Sequence, residues 1–127
     1  MAKKWVSVEG DQELIRRLKA ILRICRQEVG KINQEGAQRG ADRARQLVPV
    51  RTGALLASID VAGAGTTWRF GAYGYEGRSM VPFWVEYGTS RTPAHPYMTP
   101  AAEWSRTFIP TQTRGFAREL PFLVRNA

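Results

Sequence analysis

The chain is poor in the residue types that build most catalytic and metal centres. It holds one cysteine, Cys25, and one histidine, His95. A single cysteine cannot close an internal disulfide, so nothing indicates an oxidising compartment. One cysteine and one histidine, without a local cluster of acids, do not form a metal site of known ligand spacing. A small hydrolase using His95 lacks an acidic partner for that histidine, which makes it the least favoured functional interpretation.

Long hydrophobic runs and phosphate-binding loops are also missing. No stretch reaches the roughly 18 apolar residues that a membrane span needs. The basic start, residues 1–8, lacks the apolar segment of a signal peptide. The glycine-rich segment 71–77 lacks the lysine and the following helix of a phosphate loop. We therefore expect no membrane partner, no cofactor and no enzymatic activity.

Arginine is what the chain has in excess. The net charge is +8, from 19 basic and 11 acidic residues, and fifteen of the basic residues are arginine. Arginine favours bidentate ion pairs and phosphate contacts, so an acidic partner or nucleic acid fits this composition. A basic, solvated surface without such a partner fits it equally well. At 127 residues and 43% hydrophobic content, we expect a single domain spanning 1–127.

The first third of the chain carries one long helical pattern. Apolar residues recur in steps of three and four from about residue 11 to about residue 48. Such a helix would be roughly 57 Å long, whereas a compact chain of this size has a radius of gyration of about 14 Å. The helix must therefore bend or project, and we expect its apolar face from Ile32 to Leu47 to need burial by another subunit. Gly36 and Gly40 share a face, which indicates either a close approach by another backbone or a kink.

The rest of the chain mixes short strands and helices. Strand-like alternation covers 59–62 and 66–73. Thr52 is expected to cap a short helical turn that starts at Gly53. The predicted fold is α+β: one antiparallel sheet of three to five short strands, with the long N-terminal helix and a C-terminal helix packed on one face. A further short strand is predicted at 5–8, and residues 122–124 are expected either to add a last strand or to dock on the sheet.

The stretch from 82 to 101 alternates helix, strap and helix. Pro82 suits the first position of a short helix, and Gly88 suits the left-handed residue after its end. Residues 89–96, stiffened by two prolines, are predicted to form a rigid, exposed strap. Thr99 is expected to cap the C-terminal helix, with Pro100 at its first position. Pro110 and Pro121 are expected to break, kink or end that helix.

Glu86 is the one charged residue in the short apolar helix. We expect its carboxylate to pair with Arg51, Arg69 or Arg91, or else to face solvent. The aromatic residues nearby are expected to be buried, which disfavours a binder of single-stranded nucleic acid, because such proteins stack bases on exposed rings. These aromatic residues are Trp68, Phe70, Phe83 and Trp84.

Two sequence blocks together resemble a known protein family. They are V-P-V-R-T-G-A-L-L-A-S-I, at 48–59, and V-E-Y-G-T-S-R-T-P-A-H-P-Y-M-T-P-A, at 85–101. In this order, behind a long helix, they resemble the small head–tail joining, or tail-completion, proteins of long-tailed phages and prophages. Pro110 departs from that family, whose last helix usually continues. The residues that carry the resemblance are Pro49, Thr52, Gly53, Leu55, Ser58, Ile59, Glu86, Tyr87, Gly88, Thr89, His95, Pro96, Tyr97, Pro100 and Ala101.

The resemblance implies a structural virion protein of the phage neck, made in the bacterial host cytoplasm. It implies a ring, most often of six copies, between the portal side and the tail tube, with double-stranded DNA passing through its centre. Some such proteins act as tail terminators and others as adaptors on the head side. The alternative from the residues alone is a basic protein that binds nucleic acid without sequence preference.

Two sets of residues follow as candidates for these contacts. The interface set combines the glycines of the long helix with polar and aromatic residues of the strap: Gly36, Gly40, Thr89, Arg91, His95 and Tyr97. The set expected to meet DNA phosphates lies at the end of the long helix and just beyond it: Arg39, Arg43, Arg45 and Arg51.

Overall fold

The computed structural model describes residues 9–50, 53–73 and 80–125. It has an α+β fold in which two long helices pack together beside a two-stranded antiparallel sheet, so the predicted fold class is confirmed. The elements in chain order are α1 (Asp11–Leu47), α2 (Ala54–Ser58), β1 (Ile59–Ala64), β2 (Thr67–Ala72), α3 (Val81–Tyr87) and α4 (Met98–Arg125).

Helix α1 closely matches its predicted bounds. Asp11 and Glu13 lie in its first turn, where negative charge interacts favourably with the helix dipole. The helix ends at Leu47 because Pro49 disfavours helical geometry at Val48, whose φ of −67° and ψ of 134° are extended. Its 37 residues span roughly 56 Å, so the helix extends well beyond the sheet.

Within the described residues the sheet has two strands, against the three to five predicted. Strands β1 and β2 pair from Ile59 with Ala72 to Ala64 with Thr67. In β2, Trp68 and Phe70 are half-buried while the alternate residues Thr67 and Arg69 are exposed, as their period-2 pattern predicts. The strand predicted at 5–8 lies outside the described residues. The strand alternative for 122–124 is wrong, because these residues continue α4.

The core lies where the second half of α1 meets the sheet and the start of α4. Small residues of α1 allow this contact, because a Cβ at Gly40 would lie only 2.5 Å from Ser105 Oγ and one at Gly36 only 2.7 Å from Ile109 Cγ1. The Ser105 hydroxyl also donates a hydrogen bond to the Gly36 carbonyl, 3.1 Å away. The buried residues that form one cluster are Ala41, Ala44, Val48, Leu55, Ile59, Tyr97 and Ala101.

This core corrects two expectations about α1. The space beside Gly36 is filled by the Ile109 and Phe108 side chains of α4, and the space beside Gly40 by Ser105 of α4 and Phe70 of β2, so the same chain already occupies the face of both glycines. Of the face predicted from Ile32 to Leu47, the part up to Ala44 is likewise covered by the chain itself, whereas Leu47 is 39% exposed. Sequence periodicity shows that a face is apolar, but it cannot show which later element covers it.

Helix α4 differs from its predicted form at both ends. It begins at Met98, so Thr99 and Pro100 lie inside its first turn, and it continues through Pro110 and Pro121 to Arg125. An internal proline costs roughly 3 kcal/mol, which packing along α1 can offset. Beside Pro110, the hydroxyls of Thr111 and Thr113 donate hydrogen bonds of 2.8 Å to backbone carbonyls one turn earlier.

The first half of α1 and the end of α4 extend beyond the sheet. The turn between the strands reaches α1 at Gly30, where a Cβ would lie 2.6 Å from the Gly65 carbonyl oxygen. No residue from 11 to 29 is buried. The end of α4 lies beside this half of α1, with Pro121 and Val124 near Ala20 and Ile21. We call residues 11–29 and 112–125 together the arm.

Candidate assembly surfaces around the Glu86 turn

Glu86 connects α3 to the start of α4. Its side chain is buried, and its two carboxylate oxygens accept hydrogen bonds from the backbone N–H groups of Tyr97 and Met98, both at 2.9 Å, and of Thr99 at 2.8 Å. The Thr99 hydroxyl donates a further hydrogen bond to the same carboxylate. The N-terminus of a helix has unpaired N–H groups and a positive dipole end, so a carboxylate is well matched to it.

Among the described residues, Glu86 pairs with neither Arg69 nor Arg91, which corrects two of its three expected arginine partners. The positive charge that the carboxylate meets is the partial charge of the α4 N-terminus. Arg69 and Arg91 are exposed, and Arg51 lies outside the described residues. The same arrangement explains why Thr99 does not act as the predicted N-cap: its hydroxyl is bonded to Glu86 instead.

The hydrogen bonds around Glu86 set its ionisation. Burial by itself would raise the pKa of this carboxyl, but the bonds from the Thr99 hydroxyl and the three backbone N–H groups outweigh burial and hold the pKa below its usual value. The pKa of the neighbouring Tyr97 shifts in the opposite direction. Its burial and the nearby Glu86 charge raise the pKa of the Tyr97 phenol to about 12. Glu86 is therefore a charged structural group and not a proton donor at neutral pH.

Gly88 redirects the chain from α3 into the strap. Its φ of 78° confirms the predicted positive φ, but its ψ of 175° is extended and not left-handed helical. Only glycine adopts this region readily. A Cβ here would also lie 2.8 Å from the Ala94 nitrogen and 3.0 Å from the Thr92 oxygen. Pro82 occupies the second position of α3, one residue later than predicted.

The strap, residues 89–96, is ordered by hydrogen bonds within itself and by one to α3, and it lies on the surface. The Thr89 N–H donates to the Thr92 carbonyl at 2.9 Å, and the His95 N–H donates to the Val85 carbonyl at 2.8 Å. Every strap residue is exposed, including the candidates Thr89, Arg91 and His95. Tyr97 is different: it is 2% exposed and its hydroxyl donates to the Pro82 carbonyl. Tyr97 is thus a core residue, which corrects its place among the interface candidates.

Helix α3 turns its aromatic residues outward and its charged residue inward. Phe83 is 52% exposed, Trp84 48% and Tyr87 65%, whereas Glu86 is buried. Phe83 and Tyr87 lie one turn apart with ring centroids separated by 4.8 Å. We call Met80, Phe83, Trp84 and Tyr87 the aromatic ridge. The prediction that Phe83 and Trp84 are buried is wrong, because the inward face of α3 is used by Val85 and Glu86.

A second apolar surface lies on the arm. Leu14, Leu18 and Leu22 follow one another at intervals of four residues, so they lie on one face of α1. They and Ile15 are about half exposed, at 49–58%. We call these four residues the arm stripe. The sequence predicts the uncovered face further along α1, from Ile32 to Leu47. The helical period is present in both halves of α1, and nothing in it distinguishes the half that α4 and the sheet cover.

The candidate phosphate-binding arginines divide into two groups. Arg39 forms an ion pair with Glu35 at 2.7 Å and lies over the Phe108 ring. Arg45 forms an ion pair with Asp42 at 2.8 Å and donates to the Ile59 carbonyl. Arg43 is exposed, and Arg51 lies outside the described residues. Arg43 is therefore the better placed of the three described arginines to meet a phosphate.

The described part of the chain holds neither a metal-binding cluster nor a membrane-spanning helix. Residues 9–50, 53–73 and 80–125 hold no group of three or more histidine, cysteine, aspartate or glutamate side chains that could bind a metal ion. None of the helices in these ranges has the length and apolarity needed to cross a membrane. What the described surface offers instead is the aromatic ridge, the strap beside it and the arm stripe.

Comparison with known families decides the class of protein. The family model of HK97-gp10-like proteins, described as a proposed tail component of a bacteriophage, matches residues 12–88. The chain belongs to the HK97-gp10-like family. The match runs from the arm through the sheet to Gly88, which includes the aromatic ridge and Glu86. No characterised protein and no solved structure was found to match the chain. Family membership indicates a structural component of a phage tail, in agreement with the resemblance to head–tail joining proteins.

Proposed function

We propose that this HK97-gp10-like protein joins the phage head to the tail as a closed ring in the neck, around the channel through which DNA passes. The observation that carries the proposal is the outward-facing aromatic ridge beside an ordered, exposed strap. Monomeric proteins rarely expose such a patch without a partner. The buried Glu86 holds this platform to the main helix pair, so its shape is fixed before any partner binds.

The ring is proposed to contain six copies of the chain, a number that comes from the family resemblance. The strap, through Thr89, Arg91 and His95, contacts a neighbouring protein of the neck or the tail tube. In this role the protein is a tail-completion protein, acting as a tail terminator or as an adaptor on the head side, and its work is mechanical, with no catalytic step.

Double-stranded DNA is proposed to meet the ring only through charge. The net charge of +8 attracts phosphates regardless of sequence, which suits a channel that DNA must traverse. Arg43 and Arg51 are the proposed contacts, with Arg39 and Arg45 contributing less because each already has partners in the chain.

Deletion of the gene from a phage or an inducible prophage tests this function. We expect DNA-filled heads and separate tails that fail to join, because the missing ring leaves no connection between them. Supplying the wild-type chain in trans should restore joined particles. An Arg91→Ala, His95→Ala double variant should restore them poorly, whereas Gln112→Ala, on an exposed part of α4, should restore them fully. Joined, infectious particles without the gene would contradict the proposal.

One observation favours a second function. The rings of Phe83, Trp84 and Tyr87 are exposed, as in proteins that stack single-stranded nucleic acid. Titration of the protein with oligo-dT distinguishes this nucleic-acid function from the neck ring. Tight binding that Trp84→Ala abolishes would favour the nucleic-acid function; weak binding that Trp84→Ala leaves unchanged fits the neck ring.

A further inference from the structure

The aromatic ridge and the arm stripe lie at opposite ends of the molecule. The ridge is held beside the start of α4 by the bond from Thr99 to Glu86, and the start of α4 packs on α1 near Ala44. Leu18 precedes Ala44 by 26 residues, or roughly 39 Å along α1. The two surfaces therefore cannot meet within one chain.

The two surfaces are chemically complementary. Lys19, Arg23 and Arg26 are exposed beside the arm stripe, and none of them forms an ion pair among the described residues, whereas Arg16 and Arg17 are both bound to Glu13. The ridge offers aromatic ring faces, which attract cations. The only acid of α3, Glu86, is buried on its inward side. Aromatic residues, methionine and arginine are also the types that interfaces enrich.

We propose that the arm stripe of one copy of the chain binds the aromatic ridge of the next copy. This inference rests on the proposed ring and names the contact that closes it. A contact between two different surfaces is head-to-tail, and repetition of such a contact closes a ring when the rotation between copies allows it. The alternative self-contact, arm against arm, would bring the three unpaired cations of each copy together.

The size of the surfaces sets the expected strength of the contact. A fully buried aromatic side chain covers about 150–250 Å², so three half-exposed rings contribute a few hundred Å². This is below the roughly 800 Å² per partner of a standard stable interface. A single contact should therefore be weak, and association should need a high protein concentration, with closure of the ring adding avidity.

A mixing experiment with two variants tests this contact. Leu18→Asp destroys the arm stripe and leaves the ridge, whereas Tyr87→Asp destroys the ridge and leaves the arm stripe. Both residues are more than half exposed, so both variants should melt near the wild-type temperature. Gln27→Asp, which places the same charge on another face of α1, serves as the matched control. Sedimentation and native mass spectrometry give the oligomeric state at rising concentration.

The expected results differ for each sample. Wild type and Gln27→Asp should associate beyond a dimer, and each surface variant alone should stay monomeric. An equal mixture of Leu18→Asp and Tyr87→Asp should form a dimer and nothing larger, because only one competent contact remains. A Tyr87→Asp variant that dimerises alone would show arm-to-arm pairing and overturn the proposal. A wild-type protein that is monomeric at every concentration would overturn it too.

Other occupants of the surfaces would give their own results. If removal of residues 1–8 is needed before copies associate, the chain's own N-terminus occupies the arm stripe and the proposal fails. If Tyr87→Asp loses oligo-dT binding but not self-association, the ridge is a nucleic-acid surface and the proposal fails.

The contact and the proposed function can fail separately. A neck ring that both surface variants still build would preserve the proposed function and overturn only this contact. Conversely, the dimer in the mixture together with absence of the chain from the neck would support the contact and contradict the proposed function.

Discussion

Glu86 and Thr99, thirteen residues apart, are joined by two hydrogen bonds that connect α3 to α4. The Thr99 N–H donates to Glu86 Oε1 at 2.8 Å, and the Thr99 hydroxyl donates to the same oxygen. This pair explains the spacing within the second sequence block. The strap between the two residues must be long enough to turn back, so that the carboxylate meets the first N–H groups of α4.

The first prediction concerns the charge of this carboxylate. Glu86→Gln should lower the free energy of unfolding by about 2–3 kcal/mol at pH 7, because a buried charged acceptor of several hydrogen bonds is replaced by a neutral amide that also carries donors. Denaturant unfolding measures the change. Glu103→Gln, an exposed position on α4, should change it by less than about 0.5 kcal/mol. Equal effects of the two substitutions would refute the role given to Glu86.

The second prediction is the pH dependence of that difference. The pKa of Glu86 is lower in the folded chain than the value of about 4.3 expected after unfolding. The carboxylate therefore stabilises the fold fully above about pH 5, and this contribution is lost as the pH falls through 4.3 towards the folded pKa. Unfolding of wild type and Glu86→Gln, followed from pH 7 to pH 3, should give stabilities that converge. A gap that stays constant over this range would contradict the account.

The third prediction compares one substitution at two glycines. Gly88→Ala should lower the free energy of unfolding by about 1–3 kcal/mol, because the backbone is at a φ that alanine disfavours. The new Cβ would also meet the backbone of Ala94. Gly115→Ala, in α4 with open space around it, should instead raise it by up to about 1 kcal/mol. Thermal and denaturant unfolding of both variants measures these changes. A Gly88→Ala variant as stable as the wild type would show that the turn tolerates a side chain.

The sequence contained enough information for the helices and the strand pair, because these depend on local periodicity. The bounds of α1 followed from its apolar stripe and Pro49, and the sheet followed from the alternation around Trp68. The continuation of α4 through Pro110 could not be predicted from the sequence. An internal proline disfavours a helix locally, and only the folded structure shows that contact with α1 offsets this cost. The N-terminal strand predicted at 5–8 remains a prediction.

The candidate site was predicted less completely, for a physical reason. The exposed strap followed from its prolines, and Glu86 was singled out as an unusual charge in an apolar turn. Its partner among the described residues is a helix terminus, which has no side-chain signature, whereas the sequence indicates an arginine. The wrong prediction that Trp84 is buried has the same origin. Because Glu86 faces inward, the aromatic residues on the opposite side of α3 must face outward.

The fourth prediction contrasts a core residue with one of the arm stripe. Ile59 is 2% exposed and belongs to the buried core cluster, so Ile59→Ala should cost about 2–5 kcal/mol of stability. Leu18 is 51% exposed, and Leu18→Ala should cost less than about 1 kcal/mol in the isolated chain. Urea titrations at low protein concentration measure both. A large loss at Leu18 would mean that this face is already buried in the free protein.

The fifth prediction concerns DNA. Binding to duplex DNA should be independent of sequence and should weaken steeply as salt rises. Arg43→Gln should reduce affinity more than Arg39→Gln, because Arg39 is already paired with Glu35 and stacked on Phe108. Fluorescence anisotropy with two unrelated duplexes at several salt concentrations gives both results. A footprint at one defined sequence would favour a stand-alone DNA-binding protein over a neck ring.

The copy number and symmetry of this chain within an assembled phage particle test the central proposal most directly. Cryo-electron microscopy of the neck should show a closed ring of six copies around the DNA channel, with the strap of each copy against a neighbouring protein. A two-fold dimer whose strap faces solvent, or a particle neck without this chain, would contradict the account.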